Sequence, residues 1–395
     1  MLYPLPAPVK TAAEALSGGG IQAYLVGGCV RDIIRGASPH DFDIAVPSPP
    51  DVTAACFPGR TLILDGVKHG TVAVMISGEK IEITTFRSEG GYSDGRHPDA
   101  ISFTKDIISD LARRDFTVNA MAIPLAGGYA DTEKTADPFG GRDDISRRLI
   151  RCVGDPYARF SEDGLRVMRA LRFSSVLGYD IEEKTADAAV RCACMLGSVS
   201  RERIAAELYK TAAGDHAESV IARFSGIIET AAGAKAQRTE PLRYSPPDPL
   251  TRLILLFGSE APNVLRRLKR SRSDIGTAMR VTEAMDLPSR GREAVYRLLI
   301  RLGSGDIKRL FDIKLALSEI SADERASALE TADELIRSAV PLSEGDLALR
   351  GSDLAKMGYS GTQIGETKKR LFEAVVSGEA WNTRDDLLEL VRKSP

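Results

Sequence analysis

The chain has 395 residues, 43% of them hydrophobic and 27% charged, with a formal net charge of −2. That length exceeds one compact core, so two to four domains are expected, and the near-neutral balance provides no overall basic field, so any nucleic-acid surface must be local. The five cysteines form no Cys-x-x-Cys pair and the four histidines are scattered, which speaks against a zinc site or disulfide frame and for reduced thiols in the cytoplasm. With no apolar run of membrane-span or signal-peptide length, no membrane role is expected either.

The N-terminal third reads as alternating short helices and strands. Thr11 to Ser17 predicts a helix stopped by Gly18-Gly19-Gly20, and Ile21 to Val26 a strand. Gly27-Gly28 then turns into a helix over Val30 to Arg35. A strand, a glycine turn and a helix N-terminus make an anion site, because unpaired N–H groups and the helix dipole face one point. Arg31, in the first turn, is placed to join the same anion. His40-Asp41-Phe42-Asp43-Ile44 follows. Residues two apart on a strand share a face, so Asp41 and Asp43 point together, and two carboxylates that close call for a hard cation between them. Taken alone, the motif reads as a solvated loop beside a Pro-rich turn; its surroundings decide otherwise.

Thr61 to Leu64, Thr71 to Ile76 and Lys80 to Thr85 predict strands of a small mixed sheet. Alternation places Ile81 and Ile83 on one face and Glu82 on the other, where it either meets solvent or faces Asp41 and Asp43 as a third carboxylate. Phe86 to Pro98 reads as a mobile loop carrying Arg87, Asp94, Arg96 and His97. Ala100 to Phe103 resumes a strand, and Asp106 to Ala112 is helical. Then come Arg113 and Arg114, with Asn119 beyond them; these could hold a triphosphate or form a surface pair.

From Asp143 the pattern is helical to the end. Ser161 to Phe173 reads as one helix, capped by Ser161 and acidic in its first turn. Asp163, Arg166, Arg169 and Arg172 recur every three residues as a polar stripe, with Leu165, Met168 and Phe173 on much of the other side. By itself such a stripe is a salt-bridged solvent face. Arg201 to Ala213 is another amphipathic helix, and Gly233 to Asp248 a linker or surface loop. Val264 to Arg280 is a basic patch suited to phosphate backbones, or a plain basic helix face. Ser321 to Ala339 is an acidic helix, and Leu347 to Leu390 a small helical piece holding the only tryptophan, Trp381.

Gly27-Gly28-Cys29-Val30-Arg31-Asp32, Asp41-Phe42-Asp43, Arg113 to Ala120 and Glu162-Asp163-Gly164-Leu165-Arg166 resemble, in order and spacing, the successive motifs of the class II tRNA nucleotidyltransferases. This is the bacterial CCA-adding and poly(A) polymerase family of the polymerase-β nucleotidyltransferase superfamily. The likeness is close from Tyr24 to Phe173 and looser beyond, where Leu347-Ala348-Leu349-Arg350-Gly351-Ser352-Asp353-Leu354 is similar to the family's tail entry. The resemblance implies an α+β protein: a nucleotidyltransferase head with a mixed sheet (1–150), then an all-α neck that reads the base (151–232), body (233–340) and tail (341–395) that bind tRNA. It implies template-independent addition of C, C and A to tRNA 3′ ends from CTP and ATP. Asp41 and Asp43 would hold Mg2+, with Glu82 as third catalytic carboxylate. Gly28, Arg31 and one or both of Arg113 and Arg114 would hold the triphosphate. Asp163 and Arg166 would read the base, with Arg169 and Arg172 behind them.

That last assignment has a chemical basis. A carboxylate accepts from an exocyclic amino group and a guanidinium donates to a ring nitrogen. Cytosine and adenine both present that pair; guanine and uracil would leave the groups unmatched, at roughly 1–3 kcal/mol each. Relatives that add only CC lack part of the segment after the Glu82 strand, so its presence, Arg87 to Pro98, favours CCA or A addition. The alternatives are an A-adding tRNA nucleotidyltransferase or poly(A) polymerase and, from another class, an inert RNA-binding protein on the same scaffold.

Overall fold

In a computed structural model, which describes residues 1–90 and 100–393, the N-terminal strands are β1 (Leu2–Pro4), β2 (Tyr24–Val26), β3 (Asp43–Val46), β4 (Leu62–Ile63), β5 (Thr71–Ile76), β6 (Glu79–Thr85), β7 (Arg87–Gly90), β8 (Ala100–Phe103), β9 (Ala122–Ala126) and β10 (Tyr129–Asp131). All but β7 and β8 join one mixed sheet, ordered β1-β10-β9-β2-β3-β6-β5-β4. Its pairs are antiparallel except β3 with β6, which run parallel with Ile44 opposite Ile83. The central strands are near-continuous apolar runs, as strands covered on both faces must be: Leu25, Val26, Ile44, Ala45, Val46, Val72, Val74 and Ile83 are all buried. Asp43 interrupts that pattern at the open end of β3, where the residue reaches solvent although its carboxyl is crowded by its neighbours.

Helices α1 (Ala7–Gly18), α2 (Gly28–Ile34), α3 (Pro50–Ala55), α4 (Ile107–Ala112) and α5 (Gly141–Ser146) accompany the sheet. Helix α1 starts ahead of the expected Thr11 because Pro8 suits a first turn. Strands β1, β9 and β10 were not legible locally. Pro124 argues against a strand, yet β9 is held between β2 and β10 by long-range pairing. Where a loop was expected from residue 86, Arg87–Gly90 instead pairs antiparallel with Ala100–Phe103; the rest of that loop, with Asp94, Arg96 and His97, lies outside the described residues. The strand expected to carry both aspartates begins only at Asp43, so Asp41 sits in the connection before it.

Beyond Ser146 come α6 (Pro156–Glu162), α7 (Leu165–Leu177), α8 (Glu183–Arg191), α9 (Arg201–Ala213), α10 (Ala217–Arg223) and α11 (Ser225–Ala232). This segment is not purely helical, since β11 (Leu149–Ile150) and β12 (Asp180–Ile181) pair in parallel. Nor is Ser161 to Phe173 one helix. The chain leaves α6 at Asp163 (φ −145, ψ 106), and α6 is capped by Asp155 rather than Ser161. The joint is tightly packed and requires glycine: a Cβ on Gly164 would stand 2.8 Å from the Met195 carbonyl oxygen. Asp163 therefore lies at a joint, and Arg166, Arg169 and Arg172 line α7 alone.

The chain divides into two units, Met1–Ala231 and Ala232–Pro395. The second contains α12 (Pro249–Phe257), α13 (Ala261–Arg267), α14 (Arg272–Ala284), α15 (Arg292–Ala316), bent at Gly303, α16 (Ala322–Arg337), α17 (Gly351–Lys356), α18 (Thr362–Ser377) and α19 (Arg384–Lys393). The expected basic patch is split between α13 and α14 and partly neutralised, Arg270 by Asp274 and Arg280 by Asp306. Leu347, Leu349, Leu354, Leu371, Val375, Leu387 and Val391 form a small core of their own. Among the described residues no helix is long and apolar enough to cross a membrane.

One glycine tests the packing beneath the sheet. A Cβ on Gly141 would lie 2.3 Å from the Thr117 carbonyl oxygen and 2.9 Å from the Met121 sulfur. Gly141→Ala is expected to cost roughly 1–3 kcal/mol by overpacking, seen as a lower urea midpoint with an unchanged slope.

Candidate active site

The site forms where three strand ends meet a turn. Antiparallel pairing sets Val26 opposite Asp43, so the next residue, Gly27, turns beside the Asp43 carboxylate. Gly27 has φ +78, a region open to glycine and costly for other residues. A Cβ there would stand 3.2 Å from Arg114 Nη1 and 3.5 Å from Asp43 Oδ2, and one on Gly28 would stand 3.6 Å from Arg31 Nη2. The turn thus gathers Asp43, Arg114 and Arg31 about one short piece of backbone.

On the far side of β3, the parallel register with β6 aligns Glu82 with Asp43. Burial pushes the Asp43 carboxyl above its ordinary range; Arg114 draws it down, and Glu82 and Asp41 push it up again. The three expected carboxylates therefore share one electrostatic environment. Glu82 is presently drawn to Lys80, with Oε1 2.6 Å from Nζ and both side chains about half exposed. Among the described residues no three His, Cys, Asp or Glu side chains stand ready-clustered for a metal. The donor chemistry nonetheless fits a hard divalent cation: all the candidate ligands are carboxylate oxygens, and the charge of Asp43 is disfavoured by burial and by Glu82 and Asp41, which a cation would offset.

Behind this edge, two buried aspartates organise the arginines. Asp110 Oδ1 accepts from Arg113 Nε at 3.0 Å and Nη2 at 2.8 Å, and Oδ2 accepts from Arg114 Nη2 at 3.3 Å. Burial works against its ionisation, but the two arginines outweigh burial and hold the carboxyl below its usual range. Asp115 repeats the pattern: burial opposes its charge, and Arg169, whose Nε donates at 2.6 Å, more than compensates. Arg31 Nη1 donates to Asn119 Oδ1 at 2.9 Å.

The base-reading candidates are also engaged. Asp163 Oδ1 accepts from the Leu165 amide at 3.0 Å, and Oδ2 from Arg203 Nη2 at 2.7 Å. Arg166 is buried; it donates to the carbonyls of Arg159 and Arg113, at 3.0 and 3.2 Å, and pairs with Glu162. Arg172 pairs with Glu207 at 3.2 Å. The solvent-face reading fails on burial: the arginines of α7 are salt-bridged, but Arg166 is buried and Arg169 and Arg172 are only partly exposed. Sequence reasoning located the Gly27-Gly28 turn but missed Asp110, Asp115 and Arg203. Only Asp110 left a signal, standing three and four residues before Arg113 and Arg114 on one helical face.

Residues 23–151 match the family model described as the poly A polymerase head domain, and residues 178–224 match the one described as the probable RNA and SrmB-binding site of polymerase A. A CCA-adding enzyme of Lactobacillus delbrueckii subsp. bulgaricus is 33% identical to this chain, over 96% of it and 95% of its own length. A CCA-adding enzyme of Geobacillus sp. is 43% identical over 55% of this chain and 51% of its own. Among solved structures, the crystal structure of the Bacillus stearothermophilus CCA-adding enzyme in complex with CTP is similar at a TM-score of 0.78 and 29% identity, covering 98% of this chain and 97% of that one.

Two predictions follow from the charges. Asp115 has a depressed carboxyl pKa, so its ion pair stabilises the fold above the ordinary carboxylate range and is lost as pH falls through the depressed value. Arg169→Met removes the compensating charge and leaves burial to dominate. The variant should lose roughly 3–5 kcal/mol at neutral pH and, unlike the parent, have a lower urea midpoint at pH 7 than at pH 5. Asp43 has the opposite sign: its charge is disfavoured in the metal-free fold. Asp43→Asn should therefore raise the metal-free melting temperature, by at most about 2–4 °C for so exposed a group.

Proposed function

The chain belongs to the CCA-adding enzymes, the tRNA nucleotidyltransferases that need no nucleic-acid template, and from that membership we propose how its residues divide the addition of C, C and A to a tRNA 3′ end from CTP and ATP. The reaction is attack of the terminal 3′ hydroxyl on an α-phosphorus, with pyrophosphate leaving. A divalent cation belongs to this chemistry, and we assign it as Mg2+ held by Asp41 and Asp43, with Glu82 beside them; bound there it would acidify the attacking hydroxyl and stabilise the leaving oxygen. The Gly28 amide, Arg31 and Arg114 hold the triphosphate. The observation that carries this reading is the convergence of Asp43, Arg114 and Arg31 on the Gly27-Gly28 turn. It favours Arg114, whose Nη1 reaches the Gly27 turn while Nη2 bonds Asp110, over Arg113, which bonds Asp110 through both Nε and Nη2.

Asp163 accepts the exocyclic amino group of cytosine or adenine, and Arg166 donates to the adjacent ring nitrogen. Each Asp163 oxygen has a second lone pair beyond its present bond, while Arg166 exchanges one of its present partners for the base. Arg169 and Arg172 stand behind this pair. We propose residues 1–150 as head, 151–232 as neck, 233–340 as body and 341–395 as tail, the last supported by its separate core, with body and tail holding the tRNA. Five unpaired thiols fit a cytoplasmic location.

The test supplies CTP and ATP separately to tRNA transcripts ending before the tail, after one C and after two. CTP should extend the first two and ATP only the third; failure to incorporate CTP overturns the proposal in favour of A addition. Asp41→Ala should lower incorporation roughly 10³-fold or more while sparing tRNA binding, and a retained rate would remove Asp41 from the metal site.

A further inference from the structure

Phe173 follows Arg172 near the middle of α7, where its sequence pattern assigns it to the apolar side. Its surroundings are cationic. The guanidinium carbons of Arg172, Arg169 and Arg31 lie 4.2, 5.3 and 5.6 Å from the ring centroid. The ring is itself supported by the buried Phe116, edge-on at 5.7 Å and 80°. Arg169 and Arg172 come from the helix proposed to read the base. Arg31 comes from α2, beside the glycine turn proposed to take the triphosphate.

Three guanidiniums gathered this closely repel one another. Burial pushes the Arg172 pKa below its ordinary value; Glu207 opposes that, and Arg169 and Arg31 push it further down. Each arginine is also held by polar partners of its own: Asp32 and Asn119 for Arg31, Asp115 for Arg169 and Glu207 for Arg172. The aromatic ring is common to all three. Its negative faces attract cations without adding a formal charge, so it can draw the arginines together without a further carboxylate that would compete with a phosphate for their N–H groups.

We propose that Phe173 is a positioning residue for nucleotide transfer, its ring holding Arg31 in register with Arg169 and Arg172 so that the triphosphate and base ends of the nucleotide are met together. The proposal rests on the functional reading above. An aliphatic side chain could fill the same volume but could not exert this attraction.

Isosteric weakening tests it. Phenylalanine at position 173 is replaced by its mono-, di- and trifluorinated analogues, which preserve shape while draining the ring faces of negative charge, and by Leu and Tyr. Two quantities are read: the KM and kcat for CTP and ATP on tRNA lacking its tail, and the Kd for inorganic tripolyphosphate, which requires no transfer. The expected result is a stepwise rise in tripolyphosphate Kd and in both KM values, roughly five- to thirtyfold by the trifluoro analogue, with kcat changed less. Phe173→Tyr should stay near the parent and Phe173→Leu should resemble the trifluoro analogue. A flat Kd and KM across the fluorinated series overturns the proposal, as does a leucine variant that binds like the parent; should the leucine variant not fold, the fluorinated series decides alone. If the parent transfers neither nucleotide, the functional reading falls separately, while the tripolyphosphate series still judges Phe173.

Discussion

The site depends on the register of a single strand. β3 is the one element paired in parallel with β6 on one side and antiparallel with β2 on the other. Ile44 opposite Ile83 brings Asp43 level with Glu82; Val26 opposite Asp43 brings the Gly27 turn to the same edge. A slip of one residue inward would carry Asp43 into the buried position of Ile44 and force Ile44 into the space of the smaller Ala45. Ile44, Val46 and Ile83 resist that slip, since all are buried and each contributes about 1.5–3 kcal/mol by burial. Their sum exceeds the repulsion between partly solvated carboxylates, about 4 kcal/mol for unit charges 4 Å apart near a protein surface. The aliphatic register can therefore maintain an arrangement of like charges that the charges themselves oppose.

The arginines are organised by the converse device, buried anions. Asp110 in the last turn of α4 and Asp115 on the short connection from α4 to β9 are both nearly inaccessible to solvent. Each would be costly to ionise alone, and each is kept charged by arginine. One short stretch thus sets two groups of cations: Arg113 and Arg114 toward the sheet edge, Arg169 on α7. The Arg113 carbonyl also takes a bond from Arg166. Displacement of this stretch would disturb the triphosphate and base candidates at once, which is why its residues bear on function without touching the reacting atoms.

Much of this was legible from the sequence, for identifiable reasons. Glycine turns, alternating aliphatics and paired aspartates are local signals, and they located β2, β5, β6, α2 and the carboxylates. What escaped was decided at long range. Strand β9 contains Pro124 and is a strand because β2 and β10 flank it. Helices α6 and α7 separate at Asp163, whose carboxylate accepts from the Leu165 amide and from Arg203 forty residues on, a partner invisible to a three-residue spacing. Composition shows that arginines recur along α7 but not that carboxylates from Asp115, Glu162 and Glu207 stand opposite them, so a buried network read as a solvated face. The choice between Arg113 and Arg114 likewise turned on which guanidinium reaches Gly27.

The same network bears on how a protein side-chain pair could select bases at all. A flexible Asp and Arg would reorient to satisfy guanine or uracil, and their discrimination would fade. Here Asp163 is held by the Leu165 amide and Arg203, and Arg166 by two carbonyls and Glu162. A group fixed from behind cannot follow a mismatched base, so the full penalty of an unpaired donor or acceptor, roughly 1–3 kcal/mol, is retained. Arg166 lies too deep to be reached without exchanging a bond it already has, and that exchange is nearly even only when the incoming group accepts as well as a carbonyl does. The ring nitrogen beside the amino group of cytosine or adenine meets that condition; the ring N–H of guanine or uracil does not. In this reading, selectivity resides as much in the bonds that hold the pair as in the two side chains themselves.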